Sequence, residues 1–331
     1  MEQRTLGRTG LKVAVLGFGC GAVGGLMVRG APKDQERAVA RAVELGINYF
    51  DTAASYGNGE SEKNLGRVLA ALKPNVLVGT KVGVPAADRG RIGAAITESL
   101  EASLRRLNRE SVDLFQLHNQ ITVRGEGSEF KPRTVLDEVV PTLQKLRRAG
   151  KTRFFGITAI GDADALHAVV GARAIDTMQM PYNLLNPSAG QNLPADYPAH
   201  DFRELMARGQ EAGAGVIGIR ILAAGALSGE ATRHPIALAS VDPIASGSSY
   251  AADLERARML RPLVDEGHAG SLVEASIRFA ISHPAMGTAL IGIATPEQFE
   301  MAASAAAKGP LSAAALARVA ELQRGFGGMQ R

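Results

Sequence analysis

The sequence predicts an α/β protein folded as a single closed (β/α)8 barrel, the TIM-barrel architecture, spanning residues 1–331 as one domain. Three observations carry that reading. Apolar, β-branched runs of strand length recur eight times, and segments of helical period follow them. The runs are apolar on both faces, as in a parallel sheet covered by helices. No linker or shift of composition divides the alternation into two units.

Taken in order, "VAVLGFG" (13–19) precedes "DQERAVARAVELG", in which Ala38, Val39, Ala42, Val43 and Leu45 form one stripe. "INYFD" (47–51) precedes "ESEKNLGRVLAAL", and "NVLVGTK" (75–81) precedes "RIGAAITESLEASLRRLN". "SVDLFQLH" (111–118) leads to "TVLDEVVPTLQKLRRAG", and "TRFFGIT" (152–158) to "DADALHAVVG". "AIDTMQM" (174–180) reaches "HDFRELMARGQEAG" through a Pro-rich loop; "GVIGIRIL" (215–222) follows, and "TALIGIA" (288–294) precedes "TPEQFEMAASAAA". Three parts lie outside the bare barrel: an N-terminal hairpin turning at Thr9-Gly10, a Ser/Gly/Pro-rich stretch at 230–250, and an extra C-terminal helix near 311–325. Loops at 119–132 and 183–200 are long for connections and are expected to wall a pocket, and together with 230–250 to set the substrate.

Composition narrows the function. A net charge of +4 over this length, with no basic stripe interleaved with stacking aromatics, argues against a nucleic-acid partner. The densest basic run, "KLRRAGKTR" (145–153), sits where a helix should end and where cations offset its dipole. The single cysteine, Cys20, excludes an internal disulfide or a Cys-based zinc site, and the six histidines lack ligand spacing, so no metal is expected. No stretch approaches the roughly 18 apolar residues of a membrane span, and the polar start "MEQRTLGRTG" lacks a secretion-signal core. A cytoplasmic protein acting on a small molecule is the expectation, with its oligomeric state open.

"GFGCGAVGG" holds G-x-G-x-x-G at Gly19, Gly21 and Gly24. In a Rossmann unit that turn must open directly into a helix whose N-terminus holds a pyrophosphate. Here "LMVRGAPKD" intervenes before a helix starting near Pro32–Asp34. A tight first β→α loop whose backbone approaches a ligand explains the glycines better. "RAGKTR" lacks the leading glycine of a P-loop, and no G-x-S-x-G elbow is present.

In a barrel the chemistry gathers at the C-terminal ends of strands. Those ends carry Asp51, Lys81 and His118, and Tyr56 lies in the loop following Asp51. Each alone has an ordinary use: a turn cap, a solvated amine, a core imidazole, an amphipathic filler. On three adjacent strand ends they compose a proton-donating site. A free phenol, with a pKa of about 10, yields its proton poorly near neutrality. A neighbouring ammonium favours the phenolate. Asp51 would hold Lys81 charged and oriented, and His118 would donate to a substrate carbonyl.

These residues, with "GINYFDTAASYGNGESEKNLGRVL", "VGTKVG", "SVDLFQLHN", "RFFGIT", "MQMPYNLL" and "FAISHPAMGTALIGIATPEQFEMA", resemble the aldo-keto reductase superfamily of bacterial type in order and spacing. The resemblance covers essentially the whole chain and implies that the N-terminal hairpin closes the barrel floor. It implies an oxidoreductase that binds NAD(P)H across the barrel mouth without a Rossmann fold and reversibly reduces aldehydes or ketones, or oxidises alcohols or sugars. Tyr56 is then the general acid, Asp51 and Lys81 its tuning pair, His118 the orienting residue, and Asn119 a further substrate contact. The implied cofactor residues are Gly19, Cys20, Gly21 and Asp51 near the nicotinamide, with Thr158 and Gln179 on its carboxamide. Arg220, Leu222 and Leu227 would lie along the pyrophosphate, Ile219 where relatives stack an aromatic on the nicotinamide, and Gly292, Ile293, Ala294, Thr295 and Gln298 at the adenosine. The family pattern favours NADP(H). Residues 288–307 nevertheless contain no Lys or Arg to grip a 2′-phosphate, which leaves room for NAD(H). Further departures are Ile219 where an aromatic commonly stacks, Thr158-Ala159 where Ser-Asn is common, and Glu300-Met301-Ala302 where Glu-Asn closes the last motif. Two other functions compete: a Schiff-base lyase or aldolase using Lys81 as the nucleophile, and a non-catalytic barrel that senses NADP(H).

Overall fold

The computed structural model describes residues 1–329. The chain opens with an antiparallel hairpin, β1 (Gln3–Thr5) on β2 (Lys12–Ala14). Its connection is a 3₁₀ turn over Gly7–Thr9 followed by Gly10 at φ +68°. The Thr9 hydroxyl donates to the Leu6 carbonyl (2.6 Å) and accepts from the Leu11 amide (3.1 Å), so the turn closes on itself. Leu6, Leu11 and Val13 face upward and pack with Leu114, Ile217 and Leu290 from the barrel interior. The hairpin is therefore the floor of the barrel.

Eight parallel strands close above it: β3 (Leu16–Gly19), β4 (Tyr49–Asp51), β5 (Leu77–Val82), β6 (Val112–Leu117), β7 (Thr152–Thr158), β8 (Thr177–Pro181), β9 (Gly215–Ile219) and β10 (Met286–Gly292). Each pairs with its sequential neighbour, and β10 returns to β3. The first apolar run, read as one strand over 13–19, is divided between hairpin and barrel. Val15 is the pivot: its amide donates to Glu2 of the hairpin (2.9 Å), and its carbonyl accepts from Ala289 of the barrel (2.8 Å).

The helices cover the outside with their apolar faces inward: α1 (Pro32–Glu44), α2 (Glu60–Leu72), α3 (Ile92–Leu107), α4 (Val140–Arg148), α5 (Ala163–Gly171), α6 (Leu205–Ala212), α7 (Tyr250–Met259), α8 (Leu272–Ser282), α9 (Pro296–Ala307) and α10 (Ala313–Arg324). Ala38, Val39 and Ala42 are the buried stripe of α1. A π-helical turn over Val135–Val139 leads into α4. Pro141, in the first turn of α4, has no amide to donate back along the helix, and a widened turn accommodates that loss. The basic run 145–153 is engaged by acids: Arg147 with Asp176 (3.2 Å), Lys151 with Glu101 (3.2 Å) and Arg153 with Asp113 (2.6 Å).

Two irregular segments shape the mouth. The glycine loop after β3 opens into a single turn, Leu26–Arg29, before α1 begins at Pro32. A Cβ on Gly24 would lie 2.5 Å from the backbone of Ile293, so the loop hugs the end of β10 as only glycine permits. The stretch 230–249 crosses above this loop: the Leu238 amide donates to Val23 (3.1 Å), and the Arg29 guanidinium donates to Ile236 (2.6 Å). Segment 183–200 is fastened instead. The Asn186 amide donates to His200 (2.9 Å) and Ala245 (2.7 Å), and buried Arg256, paired with Asp253, donates to Pro198 (3.1 Å). No described helix is long and apolar enough to cross a membrane.

Candidate active site

Alternate residues of each strand face the barrel axis, which sets Tyr49 and Asp51 of β4, Lys81 of β5 and Gln116 of β6 on the inside. Lys81 is almost wholly enclosed, and its ammonium ion-pairs with Asp51. It also donates to the Thr52 carbonyl (2.7 Å) and to the Tyr56 hydroxyl (3.2 Å). Tyr56 reaches that point because the loop after β4 turns back over the barrel; the Tyr56 amide donates to Ala53 (3.1 Å). His118 follows β6 directly and is anchored by its amide on Val82 (2.7 Å). Its ring stands edge-on to Tyr56, with ring centres 5.9 Å apart. The four residues expected at the rim thus meet in one constellation.

Asp51 is held from two further sides. The Tyr49 hydroxyl donates to its second oxygen (2.9 Å), and so does the Gln179 amide. The Tyr49 hydroxyl has room to reach Asp51 because a neighbour lacks a side chain: a Cβ on Gly79 would sit 2.4 Å from it. Tyr49 was not among the expected site residues. Its parity with Asp51, two positions back on the same face, was the signal that could have found it.

The electrostatics follow from this enclosure. Burial works against the Lys81 ammonium, yet attraction to Asp51 and Tyr56 outweighs it and holds its pKa above the ordinary lysine value. Burial, aided by repulsion from Lys81, pushes the His118 pKa down to about 3, so the imidazole is neutral near pH 7. Tyr49 is pushed well up, first by burial and then by the Asp51 charge, and stays a hydroxyl donor. Burial likewise raises the Cys20 thiol, with Asp51 adding to it.

A cleft of about 460 Å³ opens above the constellation, a size suited to a small ligand or part of a cofactor. Of the expected residues, Gly19, Gly21, Asp51, Tyr56, His118, Thr158, Gln179, Ile219, Arg220, Leu222, Gly292, Ile293, Ala294 and Gln298 lie on its wall. Five do not. Lys81 sits beneath the wall, under Tyr56. Cys20 is turned into the core, its amide on Asp51 and its carbonyl on Ser61. Leu227 is buried in the 3₁₀ turn Ala223–Ser228. Thr295 caps α9, and Asn119 uses its side chain to pin Val84 (2.8 and 2.7 Å) and Ser128 (2.7 Å). The wall also takes Glu230, Thr232, Arg233 and His234 from the crossing segment, and nothing from 119–132 or 183–200. Those two loops were expected as pocket walls; Asn119, Asn183, Asn186 and Ser188 instead use their side chains to fasten backbone.

Two polar atoms on this wall are buried without a partner: the Thr158 hydroxyl and the Gln179 carbonyl oxygen. They sit on adjacent strands in register, and the donation of the other Gln179 amide atom to Asp51 fixes which end faces the cleft. A hydroxyl donor beside an amide acceptor complements a primary carboxamide, which needs both. The residues present therefore fit a primary carboxamide such as that of nicotinamide.

Residues 15–324 match the model of the Aldo/keto reductase family. Aldo-keto reductase YhdN of Bacillus subtilis (strain 168) is 26% identical over 309 residues, covering 91% of this chain and 87% of that protein. L-galactose dehydrogenase of Arabidopsis thaliana is 38% identical over 164 residues, a match to 48% of this chain that spans only 49% of the relative's own length. Among solved structures, the holo form of aldo-keto reductase AKR11C1 from Bacillus halodurans superposes with a TM-score of 0.73 at 25% identity, covering 97% of this chain and 96% of that one.

Proposed function

The chain belongs to the aldo/keto reductase family, and from that premise we propose that it reduces an aldehyde or ketone with NAD(P)H, or oxidises the corresponding alcohol or sugar, with Tyr56 as general acid and base. The observation that carries this reading is the Tyr56 hydroxyl, 3.2 Å from a buried Lys81 ammonium and open to a cleft with an unpartnered carboxamide receptor on its wall.

The coenzyme, NADP(H) on the family pattern, supplies a hydride to the carbonyl carbon when reduced. Thr158 and Gln179 would hold its carboxamide and so orient the ring. The carbonyl oxygen takes its proton from Tyr56, and the phenolate left behind is stabilised by the ammonium already donating to it. In the reverse direction the same phenolate accepts the alcohol proton. Neutral His118 donates a hydrogen bond to the substrate oxygen and fixes its direction. Asp51 keeps Lys81 charged; Tyr49 and Gln179 keep Asp51 in place.

The geometry disfavours Lys81 as a Schiff-base nucleophile. Its ammonium donates to three oxygens and is held charged, leaving no lone pair to attack a carbonyl. Borohydride with a substrate should trap no adduct on Lys81. Small-molecule redox chemistry, in a chain whose single cysteine is buried, fits a cytoplasmic setting.

The test is a panel of aldehydes, ketones and sugars followed by the absorbance of reduced nicotinamide. Tyr56→Phe should lower turnover by about 10²–10⁴-fold, the range of a lost general acid, while quenching of protein fluorescence by coenzyme persists. Equal turnover in the variant would remove Tyr56 from the reaction, and coenzyme binding with no turnover of any substrate by the unaltered protein would favour a sensing role.

A further inference from the structure

We propose that Arg220 selects the substrate, favouring carbonyl compounds that also carry an anionic carboxylate or phosphate group. The inference rests on the functional reading above and adds to it the class of molecule presented to Tyr56.

Arg220 follows β9 directly. Its backbone lies in the left-handed region at φ +57°, which a residue with a side chain adopts only at a cost. Two donors hold its carbonyl there, the Asn183 side-chain amide (2.8 Å) and the Ala223 amide (2.8 Å). The side chain lines the same cleft as Tyr56 and His118. Its guanidinium donates to the Asp242 carbonyl, 3.2 Å away. That end of the crossing segment is fastened to 183–200, where the His200 amide (3.0 Å) and the Asn186 side chain (2.7 Å) donate to Ala245. The other end, at Leu238, rests on the glycine loop. Arg220 is thus moored on the 183–200 side of the mouth.

One bond leaves most of the five N–H donors of a guanidinium unspent. Its charge is also unbalanced. Among the described residues no carboxylate lies within ion-pair distance of it; Asp253 is committed to Arg256 (2.5 Å) and Ser246 (2.6 Å). Arg233, the other guanidinium on the wall, differs. It donates to Leu238 (2.6 Å), Ala224 (2.7 Å) and Tyr250 (3.2 Å), and so fastens the crossing segment. Of the carboxylates on the wall, Asp51 is paired with Lys81, and Glu230 is exposed. Burial holds the Arg220 pKa below its ordinary value, and attraction to Tyr56 is the largest effect opposing it. Ile219, Ile221 and Ile244 on the same wall are apolar, and a planar fork grips an anion most firmly where water is excluded. A carbonyl compound with its oxygen on Tyr56 therefore meets a preorganised receptor for an anionic group.

Paired substrates test this: succinic semialdehyde against its methyl ester, and glyceraldehyde phosphate against glyceraldehyde, at saturating coenzyme. In at least one pair kcat/KM should favour the anion by at least about tenfold, the effect of one hydrogen bond between charged groups. Arg220→Met should bring that ratio close to one. Arg220→Lys, which keeps the charge but not the fork, should retain part of it. No preference in either pair overturns the proposal, as does a preference that Arg220→Met leaves unmoved. A coenzyme phosphate is the other anion that could meet this group, so coenzyme Kd is measured on the same variants. Weakened coenzyme binding in Arg220→Met, with equal losses for both members of a pair, assigns the guanidinium to the coenzyme and also overturns the proposal. If no carbonyl compound is turned over at all, the functional reading fails first and this inference falls with it.

Discussion

The two ends of the barrel solve opposite problems with the same strands. At the floor, Leu6, Leu11 and Val13 of the hairpin seal the interior with apolar surface. At the mouth, Asp51, Lys81, Gln179 and Thr158 are just as deeply buried, yet they are polar, two carry charge, and two atoms have no partner. The difference teaches where folding free energy is made and where it is given up. Burial of apolar side chains stabilises the floor. Burial of an ion pair at the mouth contributes little to stability. Tyr49 joins the two regions: its ring packs with Leu6, Leu114 and Ile217 below, and its hydroxyl supports Asp51 above.

Substitutions separate the two ends. The largest stability loss is expected at the floor. Leu6 fills a socket in which a Cβ on Gly215 would lie 2.6 Å from it and one on Gly287 2.8 Å. Leu6→Ala should cost about 2–5 kcal/mol in denaturant melts, with kcat of the folded fraction nearly unchanged; a selective loss of kcat would break the division. Tyr49→Phe removes a hydrogen bond to a charged acceptor and should cost about 1.5–3 kcal/mol. If Tyr49 positions Asp51 for Lys81, this variant also displaces the pH dependence of turnover. A purely structural Tyr49 would lower stability and leave that profile fixed.

The smallest effect is an absence of change. An ordinary histidine titrates near pH 6.5, but His118, pushed down to about 3, should add no limb to the profile between about pH 5 and 8. The same shift fixes the sign for stability. Below about pH 6.5 the unfolded chain binds a proton on His118 that the native site refuses until about pH 3, so acidification through that window destabilises the fold. His118→Gln should flatten that part of the stability curve, as measured by melts across the window.

The barrel order and the meeting of Asp51, Tyr56, Lys81 and His118 at the rim were legible because strand ends are where a parallel barrel must collect polar side chains. The division at Val15 was not, since an apolar run does not reveal that one residue's amide serves the hairpin while its carbonyl serves the barrel. Asn119 and Thr295 lie beside true wall residues in sequence, and only coordinates distinguish a side chain that faces the cleft from one that pins a loop or caps a helix. Arg233 and His234 escaped notice for the opposite reason. They belong to a Ser/Gly/Pro-rich crossing segment with no periodicity, and its path over the glycine loop is set by long-range contacts to Val23 and Arg29.

The most direct test of the mouth as a proton-transfer device is the pH dependence of alcohol oxidation in Lys81→Met. That variant leaves the Tyr56 hydroxyl in place but removes the ammonium that stabilises its phenolate. Most activity at neutral pH should be lost, and the profile of what remains should be displaced from that of the unaltered enzyme. A profile that coincides with that of the unaltered enzyme would contradict the coupling of Lys81 to Tyr56.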